Sequence, residues 1–296
     1  MIRPAGLLTI AMGLLAGCGA TAPQPAVPPP TPSPAQVAVP TTPSTVRSKL
    51  LLEDPKLVIK QEEQLPLAPG TFAIIGDEII INDYLQDKIA IYQGGKRITA
   101  FDKPSTIVDM AIRDGKWYLL DTDSTVTVYT RTTKGLKQIR TIPLPELDPG
   151  TESAYNSLYF EGPNLIAYNG DPVLVDGPGP VLPEPETTKL DHAFHLTDGN
   201  TNATIPVKYD PFSIDRIALT DQHVFYEVTD WADDNDKQFR QFIVQFTLDG
   251  QLVHTYAIHR RGSTAEGRQF VVTDGKLYQM WISNKTVKVF LIEPNG

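Results

Sequence analysis

Residues 107–130 read IVDMAIRDGKWYLLDTDSTVTVYT, and this stretch decides the fold class. Two apolar runs flank Asp114-Gly115, a dipeptide that favours the tight turn of a β-hairpin. Apolar and polar residues then alternate from Val126 to Tyr129, which is the two-residue period of a strand with one buried face. The stretch therefore predicts three consecutive antiparallel strands, the first of them at Ile107–Arg113.

The same pattern, a polar turn followed by an apolar strand, occurs five times along the chain. The turns lie at 76–78, 114–116, 162–164, 221–223 and 274–276. Successive turns are roughly 40 to 60 residues apart, which is typical of the blades of a β-propeller. Third strands are predicted at 89–92, 126–129, 193–196, 242–246 and 287–290, and fourth strands at 97–101, 137–144, 202–208 and 252–258.

The fifth repeat has no fourth strand of its own, and we expect residues 57–67 to supply it. The pattern thus predicts an all-β chain folded as a β-propeller of five blades and closed by an N-terminal strand, with six blades as the alternative. A β-sandwich also fits short strands at this spacing. The repeats resemble those of NHL-like and TolB-like propellers, a resemblance that covers the repeat pattern and no diagnostic motif.

The N-terminus carries one positive charge, Arg3, followed by a short apolar run that ends at Leu15-Ala16-Gly17-Cys18. The run is shorter than the roughly 20 residues that span a membrane, and its order is that of a signal peptide. Leu15, Ala16, Gly17 and Cys18 resemble the lipobox of bacterial lipoproteins. This resemblance implies cleavage before Cys18, lipidation of its thiol with acyl chains such as palmitate, and a place in the cell envelope outside the cytoplasm. An ordinary secretory signal is the alternative.

Three parts follow from the lipobox and the composition: a signal peptide at 1–17, the lipidated Cys18 with a Pro-rich spacer to residue 45, and a propeller domain at 46–296. The spacer carries no charge, and its prolines favour an extended polyproline II conformation. The acyl chains would be its contact with the membrane.

The formal net charge is −9 and the chain has no basic run, which argues against a nucleic-acid partner. It also lacks the Gly-x-Ser-x-Gly and His-Glu-x-x-His motifs of hydrolases. We therefore expect a non-enzymatic binding or assembly module whose partner is an envelope protein, a peptide or a glycan. The alternative is a propeller hydrolase, lactonase or lyase that uses a cation in the central channel.

Three polar residues, Asp109, Asn156 and Asp215, lie near the start of predicted first strands, which converge on the axis of a propeller. Together they are candidates to bind a cation, water or a polar ligand. A structural role, in which they bridge neighbouring inner strands, is the alternative.

Two long segments, 171–189 and 230–238, are predicted as loops on one face of the propeller, where binding sites commonly lie. Within the second, Trp231 is an aromatic side chain suited to sugar or peptide contact. The same loop carries four carboxylates, of the kind that calcium prefers, at Asp230, Asp233, Asp234 and Asp236. They do not match the EF-hand pattern, and a solvated acidic loop is the alternative. No other cofactor is predicted.

Overall fold

The computed structural model describes residues 37–39, 45–57, 69–147, 154–169, 171–232, 238–259, 269–283 and 285–295. These residues form β-strands and one 3-10 turn at Pro55–Leu57, with no α-helix in the described ranges. The all-β prediction is confirmed.

The first eleven strands are β1 (Val37–Ala38), β2 (Arg47–Asp54), β3 (Phe72–Ile75), β4 (Glu78–Asp83), β5 (Lys88–Gln93), β6 (Lys96–Asp102), β7 (Ile107–Arg113), β8 (Lys116–Asp121), β9 (Thr125–Thr132), β10 (Gly135–Pro143) and β11 (Ser157–Glu161). The remaining strands are β12 (Asn164–Tyr168), β13 (Pro172–Asp176), β14 (Glu186–Leu190), β15 (Ala193–Asp198), β16 (Thr201–Pro206), β17 (Pro211–Leu219), β18 (His223–Ala232), β19 (Gln238–Thr247), β20 (Leu252–Ala257), β21 (Phe270–Thr273), β22 (Lys276–Ile282) and β23 (Val287–Glu293).

Antiparallel pairing groups these strands into five meanders and one further sheet. Meander I is β3–β6, meander II is β7–β10, meander III is β11–β13, and meander IV is β17–β20. Meander V consists of β21–β23 with β2 added at the outer edge, antiparallel to β23. The extra sheet is β14–β16 with β1, and β1 runs parallel to β16.

The hairpin between β7 and β8 shows why these sequences turn where they do. Arg113 pairs with Lys116, so only Asp114 and Gly115 connect the two strands. Both connecting residues have positive φ, 50° and 71°, as a type I′ turn requires. Aspartate and glycine tolerate this conformation better than other residues, which explains the sharp signal in the sequence.

Apolar side chains fill the spaces between facing sheets. Between meanders I and II, the cluster includes Ile80 and Ile91 on one side and Trp117 and Leu119 on the other, all of them at most 1% exposed. Similar clusters join meander II to III, IV to V and V to I, and join meander IV to the extra sheet. Within the described residues no such cluster joins meander III to the extra sheet.

The first strands of the five meanders contact one another in a closed order. Strand β3 contacts β7, β7 contacts β11, β11 contacts β17, β17 contacts β21, and β21 contacts β3. Between β11 and β17 the contact includes a parallel pair, Glu161 with Leu219, and the Gly162 N–H donates to the Leu219 carbonyl at 3.1 Å. The extra sheet therefore does not separate meander III from meander IV along their first strands.

The third repeat differs from its prediction. Its third strand is β13, which pairs with β12, whereas residues 193–196 belong to β15 in the extra sheet. The predicted long loop 171–189 is wrong, because it contains β13 and most of β14. All five residues of β14 are exposed, so that strand has no apolar face by which the sequence could reveal it.

The last meander does receive its fourth strand from the N-terminal side, as predicted, but the segment is different. The strand is β2, at Arg47–Asp54, and it pairs with β23 along its whole length. Leu57 ends the 3-10 turn that follows β2, and the rest of the predicted segment 57–67 lies outside the described residues.

Candidate functional site

Asp109 lies on β7 and connects three elements through its buried carboxylate. Its Oδ1 accepts hydrogen bonds from the Thr71 hydroxyl and, at 2.8 Å, from the Met110 N–H. Its Oδ2 accepts one from the Leu158 N–H of β11 at 2.6 Å. Three donors from the chain itself thus hold the Asp109 carboxylate. This arrangement matches the structural alternative stated from the sequence, in which the residue bridges neighbouring inner strands. We call Asp109, Thr71, Met110 and Leu158 the Asp109 junction.

Asn156 and Asp215, the other two candidates near the axis, are both exposed. The Asn156 N–H donates to the Tyr168 carbonyl at 3.0 Å, and its side-chain oxygen accepts from the Ser157 hydroxyl at 3.1 Å. The negative charge of Asp215 contributes, after burial and Glu184, to raising the pKa of Tyr168. No hydrogen bond joins Asp109 to Asn156 or Asp215 in the described structure, and their environments differ.

A buried ionic cluster where meander III, meander IV and the extra sheet meet was not predicted. The Arg216 guanidinium lies 2.9 Å from Glu161 Oε1 and 3.0 Å from Asp198 Oδ2. The same Asp198 oxygen accepts the Tyr226 hydroxyl at 2.6 Å, and Arg216 also donates to the Pro183 carbonyl at 3.2 Å. These residues, the Arg216 junction, connect β11, β15, β17 and β18 with the segment that precedes β14.

Burial disfavours both charges of the central pair, and it raises the pKa of Glu161 although the Arg216 guanidinium lowers it. Burial disfavours the charged guanidinium, but the Glu161 and Asp198 carboxylates outweigh it and raise the pKa of Arg216. Burial and then the hydrogen bond to Asp198 raise the pKa of Tyr226, so its hydroxyl stays a donor. The sequence carried one signal of this cluster, a charged residue at position 216 between the apolar residues Ile214 and Ala218 of β17.

Trp231 lies at the end of β18 and is 41% exposed. Its ring meets that of Phe212, which is 39% exposed, edge to face with centroids 4.9 Å apart. The Lys189 ammonium of β14 lies 5.8 Å from the centre of the Phe212 ring, within the range of a cation–π contact. Phe212 and Trp231 form an exposed aromatic surface, which we call the aromatic ledge.

Asp230 fixes the backbone behind the aromatic ledge. Its buried carboxylate lies 2.5 Å from the Arg240 guanidinium and accepts the backbone N–H groups of Lys208 and Tyr209 at 3.0 and 3.1 Å. The Arg240 guanidinium lies 5.3 Å from the centre of the Tyr209 ring. The Asp230 carboxylate therefore pairs with groups of the chain itself. Asp230 directly precedes Trp231 on β18.

The other predicted calcium ligands, Asp233, Asp234 and Asp236, lie outside the described residues. Within the described ranges, no three His, Cys, Asp or Glu side chains are grouped so that they could share a metal ion. The calcium site remains a prediction from the sequence.

The residues of the predicted lipobox, Leu15, Ala16, Gly17 and Cys18, also lie outside the described part of the chain. Of the predicted spacer, residues 37–39 and 45 are described. Val37 and Ala38 form β1, and the Val39 side chain is buried in the cluster between the extra sheet and meander IV. A search of the described residues for a helix long and apolar enough to cross a membrane found none.

No protein-family model and no curated protein matches the chain. Solved structures with similar backbones include an exported protein from Bacteroides fragilis, at 8% identity, covering 88% of this chain and 100% of that one with a TM-score of 0.41. BamB from Moraxella catarrhalis matches at 10% identity over 83% of this chain and 100% of its own, with a TM-score of 0.35. Myxococcus xanthus glutaminyl cyclase matches at 9% over 86% and 100%, with a TM-score of 0.38. Similarity at this level defines neither the architecture nor the function of the chain.

Proposed function

We propose that this chain is an envelope-anchored binding protein whose domain is a five-bladed β-propeller. The closed order of contacts among β3, β7, β11, β17 and β21 supports five blades, because first strands surround the axis of a propeller. The pairing of Glu161 with Leu219 favours five over six, since it leaves no place for β14 between β11 and β17. The extra sheet is then a wedge outside the ring of first strands.

The anchor in this proposal is lipidated Cys18, released from the signal peptide 1–17 by cleavage at the lipobox. The domain includes the residues from 46 onward, and β1 adds Val37–Ala38 to it by pairing with β16. Two or more acyl chains suffice for stable attachment without a spanning helix.

The anchor is tested by metabolic labelling with an alkyne analogue of palmitate and by membrane fractionation. The Cys18→Ser variant is expected to lose the label and leave the membrane fraction, because no other cysteine is present. A Thr21→Ser variant in the spacer should keep both. Label or membrane attachment that persists in Cys18→Ser contradicts the anchor.

The aromatic ledge is the observation that carries the binding function. Phe212 and Trp231 expose large apolar rings side by side, and tryptophan and arginine are among the residues that dominate binding energy in protein interfaces. The Asp230–Arg240 pair holds the strand ends behind them, so the rings are presented on a fixed backbone. We infer that the ledge binds a polypeptide segment of another envelope protein.

The test places a photo-crosslinking amino acid at Lys189, which is exposed beside the ledge, in the anchored protein in its native envelope. We expect a defined adduct whose yield falls about tenfold or more when Trp231→Ala is added, as for a binding hot spot. Phe212→Ala should lower the yield in the same direction.

The control places the same crosslinker at Ile139, which is 53% exposed on the outer strand β10. An equal adduct from position 139, or a yield at position 189 that is independent of Trp231, contradicts a polypeptide site at the ledge. A ledge-dependent adduct with a glycan would also overturn the polypeptide partner.

The alternative of a cation-dependent hydrolase, lactonase or lyase gains no support from the described geometry. Asp109 already accepts three hydrogen bonds within the chain, and Asn156 and Asp215 are exposed. The arrangement therefore favours the structural role for Asp109.

A further inference from the structure

Two arginines stack on aromatic rings at two boundaries between meanders, and the first shows the complete arrangement. Between meanders I and II, the Arg131 guanidinium lies 5.8 Å from the centre of the Phe101 ring. It also lies 2.5 Å from the Glu78 carboxylate. Here the chain supplies the aromatic ring, the guanidinium and the carboxylate that neutralises it.

Between meanders II and III, the corresponding contact has no carboxylate. The Arg113 guanidinium lies 3.7 Å from the centre of the Phe160 ring and donates to the Gly162 carbonyl. Among the described residues, no carboxylate oxygen is within 4.0 Å of it. Burial lowers the pKa of Arg113, opposed by the more distant charges of Asp114 and Asp221. One donor of the guanidinium is used, and four of its five N–H groups remain available.

A cavity of about 170 Å³ opens beside this guanidinium. Meander II lines it with Arg113, Asp114, Lys116 and Tyr118, and meander III with Phe160, Leu165 and Asp176. Tyr118 and Phe160 meet edge to face at 5.7 Å and give the cavity an aromatic wall. The volume corresponds to about six water molecules, enough for a small organic molecule.

The charges around the cavity favour an anion. Arg113 and Lys116 supply two positive charges on its wall. Of the two carboxylates that line the cavity, Asp176 is already paired with Arg140 at 2.5 Å, whereas Asp114 has no ion pair among the described residues. A monocarboxylate fits this balance better than a dianion or a cation.

We propose that this cavity binds a small organic monocarboxylate, whose carboxylate pairs with Arg113 and Lys116 and whose apolar body packs against Tyr118, Phe160 and Leu165. The planar guanidinium can hold a carboxylate through two parallel hydrogen bonds. The ligand thereby supplies the group that Glu78 supplies at the other boundary. This site is separate from the aromatic ledge.

The test uses 4-fluorobenzoate as the probe and follows its fluorine resonance as the full mature chain is titrated in detergent. We expect saturable binding, weakened on the order of tenfold or more by Arg113→Gln, because a charged hydrogen-bond partner is lost. Lys116→Glu, an exposed change on the rim, should also weaken binding while leaving the fold intact.

Two controls keep the result specific. Arg131→Gln removes the other stacked arginine and should leave the affinity for 4-fluorobenzoate unchanged. The cationic probe 4-fluorobenzylamine should bind more weakly than 4-fluorobenzoate. Absence of saturable binding, equal weakening by Arg131→Gln, or unchanged affinity in both Arg113→Gln and Lys116→Glu overturns the site, and tighter binding of the amine overturns its preference for carboxylates.

Discussion

The Asp109 junction and the Arg216 junction both join first strands of neighbouring meanders through buried carboxylates, but their partners differ. Asp109 accepts hydrogen bonds from two backbone N–H groups and one hydroxyl. Glu161 and Asp198 instead share the guanidinium of one side chain, Arg216. A backbone donor remains after every substitution except one by proline, whereas an ion pair between side chains can be replaced as a whole by apolar residues. The first junction should therefore be irreplaceable and the second exchangeable.

The largest effect is expected from Arg216→Met. It leaves the buried Glu161 carboxylate without its cation and should reduce the free energy of unfolding by about 3–5 kcal/mol, measured by urea denaturation. Adding Glu161→Leu should recover part of that loss, because the more buried of the two uncompensated carboxylates is then gone, while Asp198 keeps the Tyr226 hydroxyl as a donor. A double variant as unstable as Arg216→Met would remove the distinction between the two junctions.

Asp109→Ala is the matching test of the other junction. It leaves the N–H groups of Met110 and Leu158 and the Thr71 hydroxyl without their acceptor, at a cost of about 2–4 kcal/mol in the free energy of unfolding. Adding Thr71→Val should not restore stability, since the two backbone donors remain. The exposed Asp215→Ala serves as the control and should change stability by less than about 0.5 kcal/mol. A stable Asp109→Ala protein would contradict the bridging role.

A third contact, between Ser48 and His259, extends the comparison, because the charge of the histidine changes with pH. Ser48 of β2 lies with Oγ 2.8 Å from His259 Nε2, and the His259 ring stacks on Phe290 at 4.0 Å. Burial and, to a smaller extent, Lys288 lower the pKa of His259 below its ordinary 6.5. The unfolded chain therefore binds the proton at higher pH than the folded chain does, and this contribution to stability is lost as pH falls below 6.5.

We expect His259→Gln to flatten this part of the pH dependence, measured by urea denaturation between about pH 5 and 8. The effect should be smaller than that of Asp109→Ala, because the His259 ring is only partly buried. A slope unchanged in His259→Gln would assign the pH dependence to other groups.

The smallest effect is expected at an exposed ion pair that belongs to neither junction. Lys88 and Asp102 lie 2.6 Å apart on β5 and β6, and the Asp102 side chain is 89% exposed. Asp102→Asn should change the free energy of unfolding by less than about 0.5 kcal/mol in urea denaturation, and added salt should reduce even that. A loss as large as that of Arg216→Met would mean that burial does not distinguish the two kinds of ion pair.

The regular meanders could be predicted closely from the sequence. Strand β7 has the predicted bounds, and the turns at 76–78, 114–116 and 274–276 are hairpins in the structure. In meander III the hairpin at 162–164 was predicted, whereas β13 and the extra sheet could not be predicted. Strand β14 pairs through its backbone without burying a side chain, and the proline-rich residues before it look like a loop. Hydrophobic periodicity reports side-chain burial and cannot show such a strand.

The candidate site was predicted in part. Trp231 stood out as an aromatic among polar residues, and the structure places it on the exposed ledge. Its partner Phe212 was missed, because the two residues meet only through the register of β17 and β18. The Arg216 junction was missed for the same reason, since Glu161 and Arg216 are 55 residues apart in sequence.

The sequence by itself determined the strand periodicity, the hairpin turns and the all-β class, because these depend on residues within a few positions of one another. Only the tertiary structure decided that β2 completes meander V, that β1 joins β16, and that Asp109 and Arg216 bind their partners across strand boundaries. The contact between Arg47 and the Pro294 carbonyl, 247 residues apart, depends on how all the intervening sheets pack. Local sequence patterns do not specify contacts between residues so far apart in the chain. Packing and charge pairing fix these contacts once the sheets have assembled.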